Sequence, residues 1–593
     1  MPADATAYSL DKATGMGMYK RVTFLCSVCV IGLRRVYSGQ FMTESSKSPL
    51  PASTTAPARG IGRFAVVVLF VLAFAIGIAL RAPRLDERPM HTDEAILAHK
   101  FGGLLENGIW KYDPSDYHGP ALPYLTLPFA WAAGVTDVND VSETLLRTVP
   151  VAICMAIMLL SLGLRRELGG GAIAVAALFL AVSPIFVFYS RYYIMELLLV
   201  FFSLAAILCG WRHWKSRSPW WLIPTGISLA MMHAAKETCV IHYFAMGAAF
   251  IGCVVFGWMR PASGENFTAL VKERPLKVGH WKPLVAAVFV TWFLFYSSFF
   301  TNIPAGLIES ITTYASYLNR AEGSGHEKPW FYYLQLLFWT KDYYRWTEAG
   351  ILVLGVVGAG FAFFRRPKED DSLLLPRFLA FYAAVLIVVY SIISYKTPWT
   401  ILGFHHALIL LAGFGAASLW QTLRKVWMRA VLTVLIAVMC VHLGHQARRA
   451  TGRRLAADTR NPYVYVHTST AFYRLLKRLD ELAAIKHPND ANDWLQVQVI
   501  HSESAWPLPW YTRMHKTVGF PTSMPSDEIL ARTDVIITEP GNADYFRQHL
   551  AATHVQDRGI FSLRPNHFLT VFIHKDLLPP SEENPLPPSN PEQ

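Results

Sequence analysis

The chain has 593 residues, of which 53% are hydrophobic, 13% are aromatic and only 16% are charged. Ordinary soluble domains carry about 25% charged residues, so this composition excludes a typical soluble protein and favours one that lies in a lipid bilayer. The net charge of +12 fits cytoplasmic loops rich in Lys and Arg better than a nucleic-acid partner, and we expect no nucleic-acid binding. The seven cysteines show neither a disulfide framework nor zinc-site spacing.

Residues 1–60 form an N-terminal extension that we expect to be dispensable for the fold. Its apolar run 22–33 is too short to span a bilayer, and residues 45–57 have the composition of a linker. Met42 is one candidate for the true start of translation. A cleaved signal peptide is the alternative, although no clear cleavage site follows the apolar run.

Residues 61–446 contain apolar stretches that recur near the length of about 20 residues that spans a bilayer. This pattern predicts a mainly α fold, a polytopic membrane protein with about eleven transmembrane helices. The predicted spans are 64–81, 143–163, 171–189, 194–212, 219–235, 238–258, 283–301, 348–364, 375–394, 400–420 and 428–446.

Charge in the connecting loops predicts the orientation of these spans. Lys and Arg concentrate in alternate loops, around positions 165, 212–217, 260–277, 365–368 and 424–429. Because cytoplasmic loops carry the positive excess, the loops 82–142 and 302–347 and all residues after 447 are expected outside. We therefore predict a multi-pass protein of the inner (plasma) membrane with its active site and C-terminal domain extracytoplasmic.

The C-terminal region, residues 447–577, changes composition and predicts a small extracytoplasmic α/β domain. Short β-rich runs predict strands at 463–466, 495–500, 534–538 and 569–573. Amphipathic runs predict helices at 470–485 and 544–551. The tail, residues 578–593, is rich in Pro, Ser and Glu and is expected to be disordered.

The first outer loop carries the acidic pair Asp93-Glu94 immediately behind the first span. Thr92 can cap a helix whose first turn holds these acids, and Gly108 is a plausible stop. Such a helix would lie along the membrane surface. The acidic pair can also be explained by its position in the first turn of a helix, without any function. The two explanations do not compete, because a carboxylate in that turn is also well placed to meet a lipid headgroup.

Three more polar clusters are expected at the same outer face. They lie in the turns at 190–196, 236–238 and 395–399, and His118 precedes a Gly-Pro turn in the first outer loop. Each has an ordinary structural explanation, such as an interfacial anchor or a snorkelling lysine. Together, a carboxylate base beside several cations suits a substrate with a phosphate leaving group, because the cations hold the phosphate while the carboxylate deprotonates an acceptor hydroxyl.

The acidic pair in the first outer loop resembles the GT-C superfamily, near the protein O-mannosyltransferases and the lipid A aminoarabinose transferases. A closer resemblance, to the flippase-activity-associated membrane family first named in archaeal N-glycosylation, covers most of the chain. It rests on an ordered set of five segments, with Glu196 at a position where relatives often carry Asp. The segments are 91–95, 112–120, 190–192, 236–237 and 395–399.

The resemblance implies roles for individual residues. Asp93 would be the general base or the carboxylate that orients the acceptor, and Glu94 would orient Asp93 or bind a metal or headgroup. The lipid phosphate and sugar would be held by the remaining candidates, which are Tyr117, His118, Arg191, Glu196, Lys236 and Lys396. No dedicated metal site is predicted, and a divalent cation, Mg²⁺ or Mn²⁺, stays open as a cofactor because the loop acids supply oxygen ligands without a recognised spacing.

The leading hypothesis is a transferase that moves a sugar from a polyprenyl-phosphate donor to a glycan, lipid or protein acceptor at the outer face of the membrane. The alternative is a flippase or flippase-associated protein that handles lipid-linked sugars without bond chemistry. Against it, the inner loops carry no acidic cluster comparable to the outer one. A third hypothesis, a scaffold for an envelope partner, predicts that the loop carboxylates can be replaced without effect.

Overall fold

The structure is a computed structural model that describes residues 62–113, 118–260, 281–320, 327–366, 372–487, 494–501 and 504–579. The predictions made for residues 1–60 and for all but the first two residues of the tail therefore fall outside the described residues.

Within the described ranges the chain is mostly helical. The helices are α1 Arg63–Arg81, α2 Thr92–Asn107, α3 Ala121–Ala132, α4 Glu143–Ser161, α5 Arg165–Leu168, α6 Gly170–Val182, α7 Pro184–Tyr189, α8 Glu196–Ser216, α9 Leu222–Ala235, α10 Cys239–Met259, α11 Lys282–Tyr296, α12 Ala305–Arg320, α13 Tyr332–Phe338, α14 Ala349–Phe364, α15 Leu374–Ile392, α16 Leu402–Thr422, α17 Val426–Ala450, α18 Phe472–Lys486, α19 Leu508–Tyr511, α20 Asp527–Ala531 and α21 Ala543–His549. The strands are β1 Thr340–Asp342, β2 Tyr344–Trp346, β3 Val497–Ile500, β4 Val518–Gly519, β5 Val535–Thr538, β6 His554–Gln556, β7 Phe561–Arg564 and β8 His567–His574.

Helices occupy all eleven stretches predicted to span the membrane. Among the described residues, seven helical segments are long and apolar enough to cross a bilayer, and three more apolar helices, α6, α11 and α14, are shorter. The chain is therefore a multi-pass membrane protein, and the number of eleven spans stays a prediction.

The third predicted span, 171–189, is broken. Helix α6 ends at Val182, and Ser183 has an extended ψ of 117° before α7 begins at Pro184. The residue before a proline is disfavoured in the helical region, whereas proline is well suited to the first turn of a new helix. After α7, the Ser190–Met195 segment forms the turn that leads into α8.

Helix α16 lies at the centre of the membrane part, where it packs on α6, α14 and α15. Its approach to α14 is close because Gly358 has no side chain: a Cβ there would lie 2.0 Å from the Leu411 carbonyl oxygen. Small residues permit such close helix packing in membranes. In contrast, α1 and α17 bury little of their surface inside the protein, so their apolar side chains face lipid.

The C-terminal region forms a mixed sheet with strand order β4-β3-β5-β8-β6, and β7 also pairs with β8. Strand β3 is parallel to β4 and β5, whereas β8 is antiparallel to its neighbours. Three of the four predicted strands are present. The strand predicted at 463–466 is wrong, because the Asn461 side chain accepts a bond from the Tyr463 amide and turns the chain there.

This region contacts the first outer loop directly. Both backbone groups of Met90 are bonded: its amide donates to the Tyr511 hydroxyl at 3.0 Å, and its carbonyl accepts from the Thr468 hydroxyl at 2.7 Å. Trp510 is fully buried and donates to Glu143 at 3.2 Å. The aromatic stretch around Trp510 therefore serves packing in this structure, and it holds the chain just ahead of the acidic pair.

Candidate functional site

The cap of the helix that carries the acidic pair, α2, lies one residue earlier than predicted, and the helix itself begins at Thr92. His91, not Thr92, is the N-cap: its Nδ1 accepts from the Asp93 amide at 3.1 Å, and Glu94 Oε2 accepts from the His91 amide at 2.9 Å. This reciprocal arrangement is a capping box built with His in place of Ser or Thr. The predicted stop is confirmed, since Gly108 ends the helix with φ of 67°.

Glu94 is the centre of a buried ion cluster. Its side chain is 0% exposed, and its Oε2 accepts from Arg88 Nη2 at 2.7 Å while its Oε1 accepts from Arg147 Nε at 3.0 Å and from the Tyr193 amide at 2.9 Å. Burial raises the pKa of Glu94, but the charges of Arg147 and Arg88 outweigh it and hold the pKa well below its usual range. Glu94 thus fastens α2 to α4 and to the turn before α8.

Asp93 has the opposite surroundings although it is the next residue in the chain. Its side chain is 38% exposed, and its Oδ2 lies 3.8 Å from His91 Nδ1. The His91 ring in turn makes edge contacts with Trp399 at 5.7 Å and with His467 at 5.1 Å between ring centroids. Asp93 therefore presents an accessible carboxylate on a helix start that is fixed from behind.

Glu196, the first residue of α8, and Lys236, in the turn after α9, form a buried ion pair. Both side chains line a small cavity to which Trp399 and His242 also contribute. Because Trp399 contacts His91 as well, the cavity and the Asp93 side of α2 share one wall. A lysine held there by a carboxylate can shift to an anionic ligand without moving far, since both are hydrogen-bond acceptors for its ammonium group.

His118 is joined to the same region through Glu237. The His118 amide donates to Glu237 Oε1 at 2.7 Å, and His118 Nδ1 lies 3.4 Å from Oε2. Burial by itself raises the pKa of Glu237. The hydrogen bond to His118 and the charge of His118 together outweigh burial and lower the pKa to about 2. Gly119 makes this approach possible, because a Cβ there would lie 2.0 Å from the Ala234 carbonyl oxygen at the end of α9.

Two predicted phosphate ligands have other partners. Arg191 donates from Nη1 and Nη2 to the carbonyls of Arg81, Pro83 and Arg84, at 2.7–2.9 Å, and so closes the end of α1. Lys396 is buried, and its ammonium group donates to the Ile393 carbonyl within its own turn. Their roles as phosphate ligands stay predictions, and neither side chain lines the Glu196–Lys236 cavity.

Other expectations have no structural outcome. Tyr117 and Asp116 lie outside the described residues. The described part of the chain holds no group of three or more His, Cys, Asp or Glu side chains placed to bind a metal ion. The divalent cation therefore stays an open expectation.

Contacts do join all four polar clusters predicted to converge. Glu94 bonds to the turn before α8, His118 bonds to the turn between α9 and α10, and His91 contacts Trp399 in the turn before α16. Sequence reasoning missed the residues that fix the loop, above all Arg147 and Arg88. The position of Arg147 in the sequence could have predicted its role. An arginine near the start of an apolar span is costly unless it has a partner, so an acidic partner was to be expected.

Comparison with known proteins identifies the fold. A family model described as dolichyl-phosphate-mannose-protein mannosyltransferase matches residues 125–259, about a quarter of the chain. No curated protein sequence matches.

Two solved structures resemble most of the chain. ArnT from Cupriavidus metallidurans bound to undecaprenyl phosphate is 14% identical, with a TM-score of 0.51 over 88% of this chain and 100% of that one. The Archaeoglobus fulgidus oligosaccharyltransferase tethered with an acceptor peptide is 12% identical, with a TM-score of 0.50 over 83% of this chain and 71% of that one. At these identities the likeness concerns the fold alone, which this chain shares with both proteins over most of its length.

Proposed function

We propose that this protein is a membrane glycosyltransferase that moves a sugar from a polyprenyl-phosphate donor to an acceptor hydroxyl or amide at the outer face of the membrane, with Asp93 as the general base. The observation that carries the proposal is the contrast within α2: Glu94 is sealed among arginines, while Asp93 is accessible. The cap of the same helix, His91, contacts Trp399 in the wall of the cavity that Lys236 lines. Base-assisted displacement of a phosphate requires a fixed, accessible carboxylate and a cation within one site.

The chemistry follows from this placement. Asp93 takes the proton of the acceptor, whose oxygen or nitrogen forms a bond to the anomeric carbon of the sugar. The bond from that carbon to the phosphate oxygen breaks, and polyprenyl phosphate leaves with the electron pair. Lys236 stabilises the charge that develops on the leaving phosphate, and attack from the opposite face inverts the anomeric configuration.

The fold and one further cavity support a lipid-linked donor. The undecaprenyl phosphate named for the ArnT structure is a ligand of that protein, and its fold is shared here. Along α8, between α9, α10 and α15, the chain also holds an apolar cavity lined by Trp211, Trp214, Phe250 and Phe378 among others. The cavity lies towards the Lys215 end of α8, away from Glu196, so it would take the distal part of an isoprenoid chain, which requires an apolar surface.

The test uses the full chain in lipid nanodiscs with labelled polyprenyl-phosphate hexoses and follows the release of polyprenyl phosphate. We expect release by the wild type and a loss of about 10²–10⁴-fold in Asp93→Asn, the range for removal of a general base. Asp86→Asn is the matched control, because Asp86 is an exposed acid in the same loop and should leave the rate unchanged.

Two results would overturn the proposal. Near-wild-type release by a folded Asp93→Asn variant would remove Asp93 from the chemistry. No release with any donor, together with movement of the donor across liposomes, would establish the flippase alternative.

A further inference from the structure

A second, small cavity is lined by Arg88, whose guanidinium also bonds to Glu94. It forms where the loop after α1, the turn before α8 and the segment after α17 meet. We call it the arginine cavity and define it by six of its lining residues, Arg84, Glu87, Arg88, Arg191, Tyr192 and Arg453. The transfer chemistry proposed above uses none of its side chains.

The charges around this cavity do not balance. Glu87 is its acidic lining residue, and its Oε2 lies 3.8 Å from Arg84 Nη1. Arg88 forms an ion pair with Glu94, a carboxylate that it shares with Arg147. Arg191 and Arg453 form no ion pair with any residue that the structure describes. The cavity therefore holds two positive charges without a carboxylate of their own.

Arg191 shows the effect of this imbalance. Burial, and then the charges of Arg88, Arg147 and Arg84, lower the pKa of Arg191 to about 10. Its guanidinium is held by three backbone carbonyls, so it cannot turn away from the neighbouring cations. An anion in the cavity would relieve this repulsion.

Tyr192 also lines the cavity. Its hydroxyl is buried and has no hydrogen-bond partner among the described residues. Its ring lies beneath Arg88, whose guanidinium carbon is 3.6 Å from the ring centroid. This cation–π contact holds the Arg88 guanidinium at the cavity wall.

The position of the cavity indicates where the anion comes from. It lies at the ends of α1 and α17, the two long apolar helices that bury least of their surface in the protein. Those helix ends reach the level of the lipid headgroups. On the side that loop charge identifies as outer, arginines are not favoured by topology, so their concentration here calls for a specific ligand.

We propose that the arginine cavity binds the phosphate of an anionic phospholipid headgroup. Phosphate oxygens would accept from Arg84 and Arg453 at the rim, and guanidinium groups suit phosphate in both geometry and charge. The ligand is a bilayer phospholipid rather than the sugar donor, because neither Asp93 nor Lys236 lines this cavity. This site goes beyond the proposed transfer and does not depend on it.

The experiment measures lipid retained by the purified full chain, by native mass spectrometry, after exposure to phosphatidylglycerol or phosphatidylcholine. We expect the wild type to retain phosphatidylglycerol preferentially. Arg453→Ala should weaken that binding about tenfold, the typical loss for one charged contact, and adding Arg84→Ala should weaken it further. Arg454→Ala is the matched control, since Arg454 is exposed beside Arg453 but does not line the cavity.

Three outcomes would overturn the proposal. The first is equal retention of the two lipids by the wild type, and the second is an equal loss of binding in Arg453→Ala and Arg454→Ala. The third is that Arg453→Ala weakens binding of undecaprenyl phosphate but not of phosphatidylglycerol, which would assign the cavity to the donor. Thermal unfolding of each variant checks that it is folded. Lipid retention is measured without any transfer reaction, so a failure of the proposed function would leave this result interpretable.

Discussion

The two sides of α2 differ more than their sequence suggests. Asp93 and Glu94 are adjacent acids in the same helical turn, but one is 38% exposed and the other 0% exposed. The buried side pairs one carboxylate with two arginines and fastens three elements together, whereas the open side leaves a carboxylate accessible. The rigid side makes the reactive side possible, because a base must be held in place to act.

The same division recurs at the turn between α9 and α10. Glu237 is buried and fixes the His118 segment, while its neighbour Lys236 lines the cavity shared with Trp399. In both places one charged residue of an adjacent pair holds the backbone and the other is offered to a ligand. Substitutions that separate stability from binding therefore test this comparison directly.

The largest effect is expected for Glu94→Gln. Neutralising this carboxylate leaves Arg88 and Arg147 buried without a matching charge, which costs about 3–5 kcal/mol when one partner of a buried pair is removed. Thermal or denaturant unfolding of the purified protein would measure the loss. Asp93→Asn serves as the control from the exposed side, and equal stability of the two variants would refute the division between the two sides of the helix.

Asp93→Glu should keep the base but move it. The extra methylene displaces the carboxylate by about 1 Å, and a displacement of that size costs roughly 10²-fold in rate. Transfer by this variant should therefore fall between the wild type and Asp93→Asn in the nanodisc assay, with unchanged stability. A rate at or above the wild type would show that the position of the carboxylate is not limiting.

Glu237 predicts a dependence of stability on acid pH. Its pKa is lowered from 4.5 to about 2 in the folded protein, so the unfolded chain binds its proton first. The stabilisation, about 3 kcal/mol from this difference in pKa, is present above pH 4.5 and is lost as the pH falls towards 2.

Measuring unfolding free energy against pH for the wild type and Glu237→Gln isolates this contribution, since Glu94 and other acids are common to both. The difference between the two proteins should shrink as the pH falls from 4.5. A difference that is constant with pH would mean that the bond to His118 does not depend on the charge of Glu237.

The smallest effect is expected for Lys236→Met. Loss of one charged contact to the phosphate should weaken binding of polyprenyl phosphate about tenfold, as measured by lipid retention or competition. Lys236→Met also leaves Glu196 buried without its ion-pair partner, which lowers stability. Adding Glu196→Gln removes that unpaired acid, so the double variant should regain stability but should not regain binding of polyprenyl phosphate. Lys215→Met, at the other end of α8, is the control and should bind like the wild type.

Much of the architecture could be predicted because membranes impose simple rules on sequence. A length of about 20 apolar residues and alternating loop charge located the helices, and Gly108 marked the end of α2. The break at Pro184 and the turn at Asn461 were harder to predict from the sequence. They depend on a local backbone preference and on a single side-chain bond, each of which competes with the pattern around it.

The sequence by itself determined the class of protein, the mainly helical membrane fold and the short list of charged residues near one face, because hydrophobicity and charge are properties of each residue. It could not assign those residues to roles. Only the tertiary structure decided that Glu94 is enclosed by Arg88 and Arg147 while Asp93 is open, and that the Arg191 guanidinium closes the end of α1. Burial and pairing arise between segments distant in the chain, so they appear only once the chain is folded.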